Sequence, residues 1–139
     1  MPPDQRFVFD TNILVSALLF QQGKPSQALH RSLAQGRILT SLSALEELSD
    51  VLRRKKFDRY LKLEERDAFL RAFLERADLV EPTEDIRACR DPEDDKFLEL
   101  AVSGGGRYIV TGDPDLLVLN PFRDIAIVTA SQFLALSAS

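Results

Sequence analysis

The chain has 139 residues, which is the usual size of one domain with a real hydrophobic core. With 45% apolar and 29% charged residues it has the composition of a soluble globular protein, and no apolar run is long enough to span a membrane. The N-terminal residues do not form a signal peptide, so we expect a cytoplasmic protein without a membrane partner. Because Cys89 and His30 are the only residues of their kinds, an internal disulfide, a cysteine zinc cluster and a His-rich metal site are excluded.

The net charge of −4 is unevenly distributed. Residues 1–80 carry 13 Lys/Arg against 11 Asp/Glu, a net +2, whereas residues 81–139 carry 5 against 11, a net −6. An acidic protein is not expected to bind nucleic acid, which calls for a basic surface. This objection weakens if the acidic residues cluster around cations and the basic residues lie elsewhere.

Apolar periodicity predicts an alternation of strands and helices from the start of the chain. Residues 6–10 form a strand that is apolar on both faces, which indicates a central position covered on both sides. A helix follows over residues 13–19, and a second helix begins near Ser26, a plausible N-cap, and stops at Gly36. Residues 37–40 are a short strand.

The middle of the chain is predicted to be largely helical. Ser43 to Glu46 fits a capping box, so a helix should begin near Ala44. Residues 63–77 have the longest helical pattern, with an apolar stripe wide enough for the core and, in part, for a dimer or partner surface.

The second half repeats the alternation. Asp91 and Pro92 are a good N-cap and first helical residue for a helix that runs to residue 102, before three glycines break it. The remaining elements expected here are strands at 79–80, 107–111 and 125–129 and a final helix at 132–136.

Carboxylates follow two of the buried strands. Asp10 ends the first strand, and Asp113 lies in the turn after the strand 107–111. Each has two readings: Asp10 as a helix N-cap or a metal ligand, and Asp113 as part of an ordinary Gly/Asp/Pro turn or of a site. In a parallel α/β sheet the carboxyl ends of the strands lie at one edge, so these side chains should come together.

Two further acids can reach the same edge. Glu47 and Asp95 each lie in the first turn of a predicted helix, and Asp95 belongs to a stretch with four acids in residues 91–95. First-turn acids can simply favour the helix dipole, but this density exceeds what a helix start requires. Oxygen ligands without His or Cys suit Mg²⁺ or Mn²⁺, which activate water in phosphodiester cleavage.

The run Arg53, Arg54, Lys55 and Lys56 ends the third helix. Basic residues at a helix C-terminus suit the dipole, whereas four in a row suit contact with an RNA phosphate backbone. The sequence leaves both interpretations open.

Four segments carry motifs in a fixed order: FVFDTN at 7–12, residues 43–52 around Glu47 and Leu48, RDPEDDKFLELA at 90–101 and YIVTGDPDLL at 108–117. Together they resemble the PIN domain (PilT N-terminus) family, over nearly the whole chain. The closest likeness is to the bacterial branch of toxin components of toxin–antitoxin pairs.

The resemblance implies a single PIN-like nuclease domain over residues 1–139, with a three-layer α/β/α fold and a five-stranded parallel sheet of order 3-2-1-4-5. It implies a ribonuclease that depends on Mg²⁺ or Mn²⁺, an antitoxin partner, and a homodimer or higher homo-oligomer. The catalytic and metal-binding quartet falls on Asp10, Glu47, Asp95 and Asp113. The supporting positions are Asn12, Asp94, Thr111 and Asp115.

Other functions fit less well. A haloacid-dehalogenase-type phosphatase needs an acid two residues after Asp10, where this chain has Asn12, and a receiver domain needs an acidic pair after its first strand. Neither a Walker A motif nor a dinucleotide-binding glycine pattern is present. The serious alternative is a non-catalytic RNA-binding or partner-binding module that kept the fold.

Overall fold

The computed structural model describes residues 5–137, which form a parallel β-sheet between two layers of helices. The elements are β1 (Gln5–Phe9), α1 (Thr11–Leu19), α2 (Lys24–Gln35), β2 (Gly36–Thr40), α3 (Leu42–Leu52), α4 (Leu63–Arg76), β3 (Ala77–Leu79), α5 (Asp95–Gly104), β4 (Tyr108–Val110), α6 (Pro114–Leu117), β5 (Ala126–Val128) and α7 (Ala130–Ser137). All pairings are parallel, and the strand order is β3-β2-β1-β4-β5. The expected sheet and its order are therefore confirmed.

Alternate residues of each strand supply two separate cores. Phe7 and Phe9 face the layer of α1, α2, α4 and α7, where Phe7 packs edge-on against Phe133 with the ring centres 5.4 Å apart. Val8 and its neighbour Ile109 face the other layer, formed mainly by α5 and α6. Because both faces of β1 are covered, this strand is apolar throughout, as its sequence indicated.

β1 is the central strand and fixes the alignment of its neighbours. Its residues pair with β2 on one side and with β4 on the other, so that Phe9 lies opposite Val110. Gly36 allows β2 to begin against β1, because a Cβ at this position would lie 2.0 Å from the Gln5 carbonyl oxygen. The carboxyl ends of β1 and β4 therefore lie side by side.

Several predicted boundaries are wrong. Asp91 and Pro92 begin a 3₁₀ turn, and α5 itself starts only at Asp95. Ser41, not Ser43, caps α3 by accepting from the Ala44 N–H at 3.2 Å, so the expected capping box does not form. Gly23, not Ser26, precedes the first turn of α2, and β3 covers residues 77–79 rather than 79–80. Ser and Gly are both favoured at the N-cap of a helix. Where several such residues lie close together, the sequence alone does not tell which of them is the cap.

None of the helices within residues 5–137 is long and apolar enough to cross a membrane.

Helix α5 ends at Gly105, whose φ of +72° is the left-handed conformation in which many helices end at a glycine.

Arg66 of α4 is a buried charge that organises the end of α3. Its guanidinium donates to the carbonyl oxygens of Leu52 at 2.9 Å and Arg54 at 3.3 Å, and to an Asp58 carboxylate oxygen at 2.8 Å. Backbone carbonyls left over at a helix C-terminus need such donors when they are buried. Arg66 thus fixes the start of the basic segment that follows α3.

We expect Arg66→Met to lower the free energy of unfolding by about 2–3 kcal/mol, because buried carbonyls lose their donor. Arg71→Met, at an exposed position of the same helix, is the matched control and should change it by about 0.5 kcal/mol or less. Urea unfolding of both variants measures the difference. Equal changes in the two variants would show that the Arg66 contacts contribute nothing to the free energy of unfolding.

Candidate active site

A polar cleft opens at the carboxyl edge of the sheet. It is lined by Asp10, Thr11, Asn12, Glu47, Val51, Arg54, Asp91, Glu93, Asp94, Phe97 and Asp113. The cleft lies where ligands bind in open α/β sheets, and six of its eleven lining residues are acidic. The predicted convergence at this edge therefore takes place for Asp10, Glu47 and Asp113.

Asp10 is the most enclosed acid of the cleft, with 5% of its surface exposed. One carboxylate oxygen caps α1 by accepting from the Ile13 N–H at 2.9 Å, and the other accepts a hydrogen bond from the Thr111 hydroxyl. Burial, with smaller contributions from the neighbouring charges of Asp113 and Glu47, raises the pKa of Asp10 to about 6, although the hydrogen bonds from Thr111 and Ile13 lower it. Asp10 therefore caps α1, as one of its two interpretations predicts, and it also lines the cleft.

Thr111 connects the two strand ends. Its buried hydroxyl donates to Asp10 and accepts from the backbone N–H of Asp113 at 3.0 Å. Asp113 in turn caps α6, accepting from the Asp115 N–H at 2.9 Å. Thr111 thus joins Asp10 to the turn that carries Asp113. Within the described chain, Asp115 contributes its backbone and is not among the residues that line the cleft.

Asp94 lies in the cleft beside Asp113. It is the last residue of a 3₁₀ turn, Pro92–Asp94, that leads into α5. Burial raises the pKa of Asp94 to about 7, helped by a hydrogen bond between its carboxyl and that of Asp113 and by the charges of Asp113, Asp91 and Asp10. Two carboxyl groups that share a hydrogen bond need a proton or a cation between them.

The placement expected for Asp95 is wrong. This side chain turns away from the cleft, and its Oδ1 accepts from the backbone N–H groups of Ala88 at 3.1 Å and Cys89 at 2.8 Å. Burial by itself would raise the pKa of Asp95, but these hydrogen bonds outweigh it and hold the pKa below its usual range. Successive residues of a helical turn point about 100° apart, so only one of Asp94 and Asp95 can face the cleft.

Glu47 reaches the cleft from α3 with both carboxylate oxygens already bonded. One accepts from the Thr11 hydroxyl, and the other lies 2.9 Å from the Lys96 ammonium group. Lys96 also lies 3.5 Å from a carboxylate oxygen of Glu93, and only 13% of its side chain is exposed. Lys96 is not among the predicted site residues, although a lysine directly after a run of acids is a visible signal in the sequence.

The four residues of the basic run are placed differently from one another. Arg54 lines the acidic cleft, whereas Arg53 lies 4.0 Å from Asp67 of α4. Lys55 and Lys56 belong to a 3₁₀ turn beside the cleft and are exposed. The run is thus a surface that leads from the cleft outward, rather than a plain helix end.

The donor set of the cleft suits a hard divalent cation. Asp10, Asp94 and Asp113 are adjacent carboxylates that repel one another when ionised, and a cation removes that repulsion. In the arrangement described for residues 5–137, no group of three or more Asp, Glu, His or Cys side chains already has the form of a metal site.

One curated relative shares a substantial part of the sequence. The chain is 33% identical over 116 residues to the uncharacterized protein MJ1680 of Methanocaldococcus jannaschii, across 82% of this chain and 74% of that protein.

Several solved structures have the same fold at low sequence identity. PAE2754 from Pyrobaculum aerophilum superposes with a TM-score of 0.63 at 18% identity, over 97% of this chain and 91% of its own. VapBC2 from Rickettsia felis, bound to a DNA fragment from the promoter, gives a TM-score of 0.61 at 15% identity, over 88% and 97%. VapBC-1 from nontypeable Haemophilus influenzae gives 0.60 at 14% identity, over 91% and 99%.

A family model described as PIN domain matches residues 6–115, which include every residue that lines the cleft. Members of this family are generally nucleases and typically use divalent metals. Together with the strand order of the sheet and the acidic cleft at its carboxyl edge, this match shows that the chain belongs to the PIN domain family.

Proposed function

We propose that this protein is a single-domain cytoplasmic ribonuclease that cleaves RNA phosphodiester bonds with the help of Mg²⁺ or Mn²⁺ held in the acidic cleft. The observation that carries this proposal is the contact of Asp94 with Asp113 beside the buried Asp10 carboxyl. Three neighbouring acids with two raised pKa values are unfavourable without a cation, and such tuning is typical of functional sites.

Asp10, Asp94 and Asp113 would hold the cation, with Asp94 in the role first expected of Asp95. A bound divalent cation lowers the pKa of water and stabilises the charge that develops on a phosphoryl group. Thr111 keeps Asp10 and Asp113 aligned through its two hydrogen bonds, so the ligands do not need to reorganise. Asn12, an exposed amide that lines the cleft, would contact the substrate.

Substrate RNA would approach along the basic surface. Arg54 at the cleft and the exposed Lys55 and Lys56 form a path for a phosphate backbone, and Arg53 extends it. Tyr60, 66% exposed, lies in the same segment and offers a ring on which an unpaired base can stack. The carboxylates would then lie in the cleft and most of this basic run outside it, so that an acidic chain could still offer a basic surface to RNA.

We further propose that the protein is the toxin of a toxin–antitoxin pair. Its support is the similarity of fold to the VapBC complexes. An apolar groove between α1, α2 and α4 is lined in part by Leu18, Leu29 and Phe69 and offers a surface for a protein partner or a second copy. A small neighbouring gene that encodes a DNA-binding protein is the genomic observation that would support this role.

The first test compares the two adjacent acids. Asp94→Asn should lower cleavage of a single-stranded RNA by about 100-fold or more, as loss of a charged group from an active site does. Asp95→Asn keeps an acceptor for the N–H groups of Ala88 and Cys89 and should cost about tenfold or less. EDTA should abolish cleavage by the wild type.

Each alternative has its own signature in that assay. Undiminished cleavage in EDTA would contradict the metal mechanism, and a greater loss in Asp95→Asn than in Asp94→Asn would return the expected role to Asp95. RNA binding without cleavage by the purified wild-type protein would favour the non-catalytic module.

The second test concerns stability without metal. Burial raises the pKa of Asp10 from 3.8 to about 6, so between these pH values the folded protein keeps a proton that the unfolded chain releases. The contribution of Asp10 to the free energy of unfolding therefore falls as the pH rises from about 4 to about 7. Asp10→Asn does not titrate and so lacks this decrease. As the pH rises from about 4 to about 7, the free energy of unfolding of Asp10→Asn relative to the wild type should increase by on the order of 2–3 kcal/mol.

Denaturant unfolding in EDTA at several pH values measures this difference. Asp50→Asn, at an exposed position of α3, is the matched control and should give the same difference from the wild type at every pH. Asn caps a helix about as well as Asp, so a purely structural cap predicts the same pH-independent result for Asp10→Asn. That result would contradict the raised pKa.

The third test concerns the basic surface. Changing Lys55 and Lys56 to Ala should weaken binding of single-stranded RNA and flatten the slope of log K against log salt by about 1 to 2, because fewer counterions are released. The control is Lys24→Ala with Arg71→Ala, which removes the same charge at exposed positions of other helices. Equal slopes for the two double variants would leave this segment with a capping role only.

A further inference from the structure

Arg54 is the residue of the basic run that lies in the acidic cleft. It lines the cleft together with Glu47 and Val51, and the spacing of four and three residues between these positions is that of one helix face. Lys55 and Lys56 line a separate depression of the surface. Arg54 therefore faces the acids, whereas the two lysines face outward.

The main chain of Arg54 is held on both sides. Its N–H donates to the Val51 carbonyl oxygen at 3.2 Å, which continues the last turn of α3. Its carbonyl oxygen accepts from the Phe57 N–H at 3.1 Å and from the buried Arg66 guanidinium at 3.3 Å. Binding of a ligand by Arg54 therefore costs the ordering of one side chain, and not of the whole segment.

The guanidinium of Arg54 is not neutralised by the acids around it. The other two cations near this end of α3 have carboxylate partners: Lys96 lies 2.9 Å from a Glu47 oxygen, and Arg53 lies 4.0 Å from an Asp67 oxygen. None of the ion pairs found within residues 5–137 includes Arg54, which is exposed. In the described part of the chain, the cleft thus offers a positive charge to an anionic ligand.

A guanidinium beside a divalent cation suits a phosphate that is being cleaved. Its planar fork binds two phosphate oxygens at once, which a lysine ammonium group does not do. Hydrolysis adds the hydroxyl of water to phosphorus, breaks the bond to a ribose oxygen and gives that oxygen the remaining proton. Because negative charge grows on the phosphoryl oxygens in the transition state, an arginine that contacts them stabilises the transition state more than the substrate.

We propose that Arg54 is a catalytic residue: its guanidinium binds the nonbridging oxygens of the scissile phosphate, while Lys55 and Lys56 bind phosphates farther along the RNA strand. This inference rests on the proposed function, since it assumes RNA cleavage with a divalent cation in the acidic cleft. It separates one member of the basic run, which sets the rate of cleavage, from its neighbours, which set the affinity for RNA.

Single-turnover cleavage of a single-stranded RNA in Mn²⁺ separates the two roles. One titration gives the rate at saturating enzyme and the enzyme concentration at half of that rate. Arg54→Ala should lower the saturating rate by about 100-fold or more and raise the half-saturating concentration by about fivefold or less. Lys55→Ala with Lys56→Ala should mainly raise the half-saturating concentration, with a saturating rate within about threefold of the wild type. Arg71→Ala, at an exposed position of α4, is the matched control and should change neither quantity.

Two further measurements on Arg54 distinguish a lost contact with phosphate from a damaged cleft. Arg54→Lys keeps the charge and loses the fork, so its saturating rate should be about tenfold above that of Arg54→Ala. Millimolar guanidinium chloride should also raise the rate of Arg54→Ala, because a free guanidinium ion can take the vacated place, whereas sodium chloride at the same concentration should not. In calorimetric titration, Arg54→Ala should bind Mn²⁺ at least as tightly as the wild type, because the substitution removes a positive charge from the cleft.

Four results would overturn the inference. They are a saturating rate of Arg54→Ala within about threefold of the wild type, an effect confined to the half-saturating concentration, a lost rate that neither Arg54→Lys nor guanidinium restores in part, and a weaker affinity of Arg54→Ala for Mn²⁺. Failure of the proposed function has a different signature, because the wild type itself would then not cleave RNA in Mn²⁺, or would cleave it equally in EDTA.

Discussion

The structure of the site depends on the buried carboxylate of Asp10. It ends the central strand, caps the helix that follows, and accepts a hydrogen bond from Thr111 at the end of the neighbouring strand β4. One side chain therefore joins three elements at the point where the sheet meets the cleft. The cost is a charge in a desolvated position, which appears as the raised pKa of Asp10. This buried carboxyl group is the feature that supports the proposal of a cation at the edge of the sheet.

The rest of the cleft extends the same constraint. Asp94 and Asp113 share a hydrogen bond next to Asp10, so the acids are close enough to repel one another in the absence of a proton or a metal ion. Lys96 relieves part of this repulsion on the α3 side.

The surface outside the cleft has the opposite charge and is held by a different buried group. Arg66 donates to the carbonyls at the end of α3 and to Asp58, and so orders the basic segment that begins at Arg53. Within about ten residues the chain passes from Glu47, in the cleft, to Lys56, on the exposed surface. The acids of this part of the chain therefore line the cleft, while Lys55 and Lys56 lie on the exposed surface beside it.

By itself, the sequence determined most of the strands and helices, through the period of apolar residues, although not all of their boundaries. It also predicted that Asp10 and Asp113 meet at one edge, because parallel strands end on the same side. The order of the sheet was implied by the resemblance to the PIN domain family. Only the tertiary structure decided which acid of the pair Asp94 and Asp95 faces the cleft, and that Lys96 lies on Glu47. The rotation of α5 is set by its packing on the sheet, and a turn of 100° per residue exchanges neighbouring side chains between the cleft and the backbone of residues 88–89.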